Sequence, residues 1–260
     1  MSNETVLDRY DGPALRGLFE EAGVLAALAR KGFTQLEVRV EVAGRALPHA
    51  LLFGSKNAQR CLLLDACVGQ AVVRPAYFAA RGYAMGRPVD VAVVHWLREE
   101  DPTAGFCADR PALPLQEHPG LGILRSTFRV ITRIAAELQK DGVVSVPKFF
   151  HDAVIFYRSR LFLFLDGAEQ GRFEALLRDL TELRLGDASL ALAAGRVSGG
   201  DGAVVVWTPG YQVFPISALL TAYFHSPEYA AQVAATLERS RFAVSPGAAP
   251  GRSQICEGSD

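Results

Sequence analysis

The segment from Gln116 to Asp166 constrains the fold more than any other part of the chain. It holds, in order, a turn with two glycines, an amphipathic helix pattern, a short apolar stretch, a second helix pattern and another apolar stretch. The residues before it have the pattern of a sheet for this unit to join, and those after it are mainly helical in character. The sequence therefore predicts an α+β fold.

The N-terminal part of the chain predicts a helix followed by an antiparallel meander. Apolar residues at helical spacing predict a helix over 13–31. Alternating residues predict a strand over 36–42, and turn residues separate it from further strands over 50–53 and 61–67. The continuous apolar run 89–97 predicts a central strand that is covered on both faces.

The middle of the chain predicts alternating helices and strands after a long loop. The segment 98–116 holds three prolines and little periodicity, and a loop of this length in a compact domain is usually functional. Beyond it, the patterns predict a helix over 121–139, a strand over 143–146, a helix over 148–160 and a strand over 161–165.

The C-terminal part is predicted to be a helical extension with a hairpin. Helix patterns cover 168–184, 186–195 and 217–238. A strand over 204–207, a Pro-Gly turn and a second strand over 213–216 predict the hairpin.

These patterns divide the chain into three parts. Residues 1–166 are predicted to form the sheet-containing domain, and residues 167–243 an extension that packs on it. Residues 244–260 are rich in Gly, Pro, Ser and Ala, so they are predicted to be a disordered tail.

Bulk properties narrow the class of protein. The formal net charge of −1 over 260 residues argues against a broad nucleic-acid-binding surface. The four cysteines form no C-x-x-C pair, which favours reduced thiols in a reducing compartment. The N-terminus lacks a signal-peptide pattern, and no apolar run approaches about 18 residues. We therefore expect a cytoplasmic protein without a membrane span.

The five histidines are scattered, so no metal site is predicted.

The turn Gly120-Leu121-Gly122 precedes a predicted helix N-terminus. Such a turn binds anions well, because free backbone N–H groups and the helix dipole both favour negative charge. The dinucleotide-binding fingerprint fails, because Arg125 stands at its third glycine position, and the P-loop Gly-Lys-Ser/Thr is absent. A phosphate site and an ordinary loop-to-helix turn both remain open at this point.

The order of elements resembles the acetyl-CoA-binding half of the GNAT acyltransferase superfamily. In that family, a Q/R-x-x-G-x-G/A turn binds the pyrophosphate of acyl-CoA, and a tyrosine in a later motif often protonates the departing thiolate. In this chain Gly120 and Gly122 match the first motif, and the later motif is matched by Ala153, Phe156, Tyr157 and Phe162. The resemblance covers roughly residues 33–166 and implies a mixed sheet with a meander and V-shaped central strands.

Three positions depart from the family pattern. Glu117 stands at the Q/R position, Phe150 at the asparagine position and Leu161 at the glycine position. These departures favour a second hypothesis, in which the chain is a catalytically degenerate GNAT-like module that binds a ligand or a protein.

The resemblance implies a role for several residues. It implies an acyl-CoA-dependent N-acyltransferase that uses acetyl-CoA or another acyl-CoA and acts on a small-molecule or protein amine by direct attack. The thiolate would be protonated by Tyr157, and the amine proton would be taken by Glu99, Glu100 or His151. The cofactor would be held by Gly120, Leu121, Gly122, Ile123 and Arg125.

The residues themselves also allow structural roles. Tyr157 could be a core tyrosine with a satisfied hydroxyl, and His151 an exposed residue beside Asp152 acting as a helix cap. Glu99 and Glu100 could simply begin a charged loop. Arg125, which shares a helix face with Arg129 and Arg133, could belong to a solvated face. His95 is expected to be a buried histidine with a satisfied ring.

Overall fold

The computed structural model describes residues 4–42, 44, 46–107, 111–114, 116–159 and 162–245. The strands are β1 (Thr34–Glu41), β2 (His49–Lys56), β3 (Gln59–Val73), β4 (Val89–Glu99), β5 (Gly142–Ser145), β6 (Leu163–Phe164), β7 (Val197–Gly199), β8 (Gln212–Pro215) and β9 (Phe242–Val244). The helices are α1 (Gly12–Glu21), α2 (Val24–Arg30), α3 (Pro75–Ala79), α4 (Leu124–Glu137), α5 (Phe150–Arg158), α6 (Gly167–Asp179), α7 (Leu185–Ala193), α8 (Ala218–Phe224) and α9 (Pro227–Arg239).

The described residues form a seven-stranded main sheet in the order β1-β2-β3-β4-β5-β8-β6. Its neighbours are antiparallel except for β4 and β5, which run parallel over Val91–Val94 and Gly142–Ser145. Helix α4 supplies the crossover that a parallel pair requires. The prediction of an α+β fold with a mixed sheet is therefore confirmed.

Two helices predicted to be continuous are broken. The helix predicted over 13–31 is divided into α1 and α2, because Gly23 adopts a positive φ of 78° that ends one helix and starts the next. The helix predicted over 217–238 is divided into α8 and α9. Pro227 begins α9 and cannot continue a preceding helix, because it lacks the backbone N–H.

The hairpin predicted in the extension is wrong. Residues 204–207 form only an isolated bridge, between Ser198 and Val204. Strand β8 is instead part of the main sheet, where it pairs with β5 on one edge and β6 on the other. Val244, predicted to begin the tail, pairs with Val197 in the small β7-β9 sheet. The rest of the predicted tail beyond residue 245 lies outside the described residues.

Helices cover both faces of the main sheet. One face carries Ala92 and Val94, and its core includes residues of α1, α2 and α4. We call it the α4 face. The opposite face carries Val91 and Val144 and packs against α3, α8 and α9. A third apolar cluster joins α5, α6 and α7. None of the described helices is long and apolar enough to cross a membrane.

The beginning of the parallel pair is fixed by one buried carboxylate. Asp141 precedes β5 and accepts two hydrogen bonds of 2.7 Å from the guanidinium of Arg87 and one of 2.9 Å from the backbone N–H of Asp90. Its own carbonyl accepts the N–H groups of Ile216 and Ser217, which follow β8. The starts of β4 and β5 and the end of β8 are therefore tied together.

The other end of the parallel pair is open. The last pair joins Val94 of β4 to Ser145 of β5, whereas β4 continues to Glu99. His95 is an extra residue in β4 opposite β3, because the register passes from Cys67–Trp96 to Val68–Val94. A bulge of this kind bends its strand and is common next to functional sites. No described residue forms a ladder with the β5-facing edge of β4 beyond Val94.

Candidate functional site

The glycine turn is attached to the carboxyl end of β4. Gly120 forms an antiparallel bridge with Glu100, and the N–H of Leu121 donates to the carbonyl of Glu99 over 3.4 Å. The N–H of Asp101 donates to the carbonyl of Pro119 over 2.8 Å. The loop that leaves β4 therefore returns to the same strand end before α4 begins.

The turn has distinct requirements at its two glycines. Gly122 has a φ of 69°, a left-handed conformation that favours glycine. A Cβ on Gly120 would meet only the carbonyl of Glu99, at an ordinary 3.6 Å, and the amide of Gln116, at 3.8 Å. Leu121 and Ile123 alternate with the glycines and are buried in the core, which holds the turn against the sheet.

The N-terminus of α4 faces this turn without a side-chain cap. Ile123 is the N-cap residue and offers no side-chain acceptor to the first-turn N–H groups. The first turn of α4 includes no acidic residue, and Arg125 is exposed there. This combination of an uncapped helix N-terminus and a nearby cation suits an anionic ligand.

Glu99 lies beneath the first turn of α4. Its carboxyl is buried and hydrogen-bonded to Thr127, and its Oε1 atom has no hydrogen-bond partner among the described residues. Burial raises the pKa of this carboxyl to about 7, and the bond to Thr127 opposes that rise only in part. Near neutral pH, Glu99 can therefore both hold and release a proton.

Two further acidic residues near the turn, Glu100 and Glu117, are directed toward Arg98. The guanidinium of Arg98 lies 3.8 Å from a carboxylate oxygen of Glu100 and 3.9 Å from one of Glu117. The Glu117 side chain is 75% exposed. The acidic residue at the family's Q/R position is thus solvated and paired with a cation, which weakens its repulsion of an anion in the turn.

The arginines of α4 lie on its exposed face, as the spacing of four predicts. Arg133 pairs with Glu21 and with Glu137. The described part of the chain offers no ion-pair partner to Arg125 or Arg129. Arg125 is thus available to a ligand at the turn, whereas Arg133 holds α4 to α1.

Tyr157 belongs to a different part of the molecule. Its hydroxyl donates to Glu174 of α6 over 3.3 Å, and its ring packs edge-on against Phe173. Burial, together with the neighbouring Glu174, raises the pKa of Tyr157. The next residue back, Phe156, is the one that contacts Phe128 of α4, with ring centroids 5.3 Å apart. Helix α5 therefore presents Phe156, and not Tyr157, to the helix that carries the turn.

His151 is also remote from the turn. The exposed histidine considered from the sequence is wrong, because His151 is only 5% exposed. Its Nδ1 lies 2.8 Å from the hydroxyl of Ser189 in α7, and its Nε2 lies 3.3 Å from Asp152. Burial lowers the pKa of His151 and raises that of Asp152. Asp152 does act as a cap, since it accepts the N–H of Phe149 over 3.1 Å.

The His151 cluster resembles a Ser-His-Asp arrangement, but its order of burial does not suit catalysis. Ser189 is 2% exposed and is the deepest member, whereas the side chain of Asp152 is 34% exposed. A nucleophile must be the member that reaches the substrate. The cluster is better explained as a polar link between α5 and α7.

His95 differs from expectation as well. The residue is exposed and not buried, and its ring lies over Gly69 of β3, where the absence of a side chain leaves room for it. The β-bulge at His95 is the reason, because the extra residue disturbs the alternation of side chains along β4.

Two buried side-chain oxygens without a hydrogen-bond partner stand out in the part of the chain that the structure describes, Glu99 Oε1 and Gln212 Oε1. Gln212 is in β8 directly opposite Ser145, the β5 residue at which pairing with β4 ends. Both lie on the α4 face, since Gln212 shares a face with Phe214 and Glu99 shares one with Leu97, and both Phe214 and Leu97 pack against the first core cluster. Gln212 is at the open end of the parallel pair, whereas Glu99 is at the far end of β4. Native proteins rarely leave such atoms unpaired, so both are candidates for contact with a ligand or an ordered water.

The structure thus brings some candidate residues together and separates others. Glu99, Glu100 and the segment from Gly120 to Arg125 meet at the end of β4. Tyr157 and His151 lie in the cluster of α5, α6 and α7.

Comparison with known proteins does not identify the chain. No family model matches it, and no curated protein matches it.

Proposed function

We propose that this protein transfers an acyl group from an acyl-CoA to an amine. The observation that carries the proposal is the Glu99 carboxyl, which is buried beside an uncapped helix N-terminus and has one oxygen without a partner. A structural carboxylate would be paired or solvated, whereas a carboxyl with a pKa of about 7 is suited to move a proton at neutral pH.

The glycine turn would hold the anionic end of the donor. Phosphate oxygens would accept backbone N–H groups of Gly122 and of the first turn of α4, with Arg125 as the neighbouring cation. Glu117 does not oppose this arrangement strongly, because it is exposed and lies near Arg98. The GNAT resemblance implies the same position for the pyrophosphate of acyl-CoA.

The open edge of β4 would hold the rest of the donor. From Val94 to Glu99 the strand spans roughly 17 Å at about 3.3 Å per residue. An extended ligand can pair with unpaired backbone groups along such an edge. A donor with an anion at one end and an extended, amide-containing arm fits these dimensions, and a single phosphate or amino acid does not.

Glu99 would take the proton of the attacking amine. Glu99 lies at the turn, whereas His151 is buried against Ser189, and Glu100 lies near Arg98. The amine nitrogen forms a bond to the thioester carbonyl carbon, and the bond from that carbon to sulfur breaks. A thiol with an ordinary pKa of about 8.5 can leave as a thiolate and be protonated by solvent.

A second function is binding without transfer. The position of Tyr157 favours it, because the hydroxyl that the resemblance assigns to the thiolate donates to Glu174. The degenerate module would bind the same donor and release it unchanged, so turnover separates the two functions.

The role of the turn is tested by Gly120→Ala. The added methyl group meets no atom closer than 3.6 Å, so we expect the free energy of unfolding to change by less than about 0.5 kcal/mol. It occupies the space through which a phosphate approaches the backbone, so the dissociation constant for acetyl-CoA should rise about tenfold, or 1.4 kcal/mol. Isothermal titration calorimetry measures the change.

Gly86→Ala is the matched control, because a Cβ there meets nothing within 4 Å and the residue has no positive φ. It should leave both stability and affinity unchanged. If Gly120→Ala binds acetyl-CoA as tightly as the wild type, the turn is not the donor site.

A further inference from the structure

An open groove lies between helix α4 and the end of strand β8. Its volume is about 370 Å³, within the range of small-molecule sites. One wall is a row of α4 residues spaced by three and four, and the other wall is a short apolar segment. The lining residues are Arg129, Thr132, Arg133 and Ala136 of α4, and residues 214–216. We call this site the α4–β8 groove.

The groove is accessible from solvent. Arg129, Arg133 and Ala136 are exposed, and the other lining residues are half-buried. A ligand can therefore contact both walls directly.

The groove is separate from the proposed donor site. The glycine turn precedes Leu124, the first residue of α4, whereas Arg129 and Ala136 lie about 8 Å and 18 Å farther along the helix axis. Pro215 pairs with Gly142 at the start of β5, away from the open end of the parallel pair. A ligand in the groove thus occupies a different place from the donor.

The charge of the groove comes mainly from one arginine. Arg133 pairs with Glu21 and Glu137, which offset its charge. Arg129 has no ion-pair partner within the described ranges, and no acidic residue among them lines the groove. A guanidinium in this position favours a carboxylate, because its planar fork can bind both carboxylate oxygens at once.

Thr132 does not add a second donor for an anion. Its hydroxyl donates to the carbonyl oxygens of Phe128 over 2.8 Å and of Arg129 over 3.2 Å. A hydroxyl has a single proton, and here that proton is shared between two acceptors of the helix itself. Recognition of an anion in the groove therefore falls to Arg129, which suits a ligand with one negative charge.

The wall opposite α4 favours an apolar body. Phe214 and Ile216 pack against the first core cluster, which fixes their positions, and Pro215 lies between them. A ligand with an aromatic ring or a short aliphatic chain would remove this wall from water, which is favourable. A bare carboxylate such as acetate would leave it exposed.

We propose that the α4–β8 groove binds a small monocarboxylic acid whose carboxylate contacts Arg129 and whose apolar body covers residues 214–216. The inference does not rest on the proposed function, because the groove shares no residue with the donor site. It gives α4 two separate ligands, an anion at its N-terminus and a carboxylic acid on its flank.

The test uses benzoate and two matched ligands that each lack one required feature. Benzamide keeps the ring without the charge, and acetate keeps the carboxylate without the ring. We expect benzoate to bind the wild-type chain with a dissociation constant of about 1 mM or lower. Benzamide and acetate should bind at least about tenfold more weakly. Titrations followed by NMR of the isotope-labelled protein measure affinities in this range.

Arg129→Met identifies the residue that binds the carboxylate. Methionine keeps an unbranched side chain without the charge, so the dissociation constant for benzoate should rise about tenfold, whereas that for benzamide should stay unchanged. Arg30→Met is the control, because Arg30 is an exposed arginine in the last turn of α2 and does not line the groove. It should leave the affinity for benzoate unchanged.

Four results would overturn the inference. They are the absence of benzoate binding to the wild type at about 10 mM, equal affinities for benzoate and benzamide, equal affinities for benzoate and acetate, and unchanged benzoate affinity in Arg129→Met. Competition between benzoate and acetyl-CoA for one site would also contradict it, because it would place benzoate at the glycine turn. A failure of acetyl-CoA to bind would overturn the proposed function and leave the groove assignment standing.

Discussion

Replacing Glu99 by glutamine is expected to lower kcat for acyl transfer by at least about 100-fold while acetyl-CoA still binds. Glutamine keeps the shape of the side chain and its contact with Thr127, but it cannot accept the proton of the amine. The release of the CoA thiol in the presence of primary amines measures kcat, and calorimetry measures binding. In the wild type, kcat should rise with pH through about 7, the pKa of the Glu99 carboxyl.

The same substitution has a stability effect of known sign. Because burial raises the pKa of Glu99 from 4.5 to about 7, the folded chain retains a proton between these pH values that the unfolded chain releases. The wild type should therefore lose on the order of 3 kcal/mol of stability as the pH rises through this window, since one pKa unit corresponds to about 1.4 kcal/mol. Glu99→Gln should remove this loss, and denaturant unfolding at pH 4 and pH 8 measures it.

Glu100→Gln is the matched control, because Glu100 is the next residue and lies near Arg98. It should reduce kcat less than threefold. An unchanged kcat in Glu99→Gln, with binding intact, would show that Glu99 takes no part in proton transfer. Tight binding with no turnover in the wild type would instead favour the degenerate module.

Asp141→Ala is expected to lower the free energy of unfolding by about 3 kcal/mol. Asp141 is 3% exposed and accepts charge-assisted hydrogen bonds from Arg87 and a bond from the N–H of Asp90. Its replacement removes the acceptor of these bonds and loosens the starts of β4 and β5. For a chain of this size, the loss corresponds to a fall in Tm of about 6–12 °C, which calorimetry detects.

The pH dependence of this effect follows from the pKa of Asp141. The bonds to Arg87 hold that pKa below its usual value, so the stabilisation is present above the ordinary pKa of an aspartate and is lost as the pH falls through the folded value. The wild type and Asp141→Ala should therefore converge in acid. Asp90→Ala is the control, since the Asp90 side chain is exposed, and it should change stability by less than about 0.5 kcal/mol. An equal effect of both substitutions would contradict the role of Asp141.

The central elements of the fold could be predicted from local patterns. The continuous apolar run of β4, the wide apolar stripe of α4 and the alternation in β1 are patterns that the sequence alone displays. The ends of helices were less predictable where a single residue interrupts a helical pattern. Gly23 divides one helix and Pro227 another, although each lies in an otherwise periodic segment.

Long-range pairing could not be predicted from those patterns. Strand β8 lies between β5 and β6, although β6 comes first in the chain. A short apolar strand shows no preference for a partner in its own sequence, so a local hairpin was the natural expectation for residues 213–216. This pairing is also what brings Gln212 to the open end of the parallel pair.

Part of the candidate site could also be predicted from the sequence, and part could not. The turn and Glu99 are close in the fold because β4 and α4 are consecutive elements, so their nearness could be expected from the order of elements. Thr127 could have been expected too, because it lies one helical turn after Ile123 and is buried. The directions of Tyr157 and His151 depend on α6 and α7, which no motif in their own segment describes.

The most direct test of the account is a thermal-shift titration of the wild-type chain with acetyl-CoA. A donor site built from the glycine turn and the open edge of β4 predicts a saturable rise in Tm. That rise should correspond to about 2.7 kcal/mol at a ligand concentration one hundred times the dissociation constant. No shift at millimolar acetyl-CoA would contradict the proposed function.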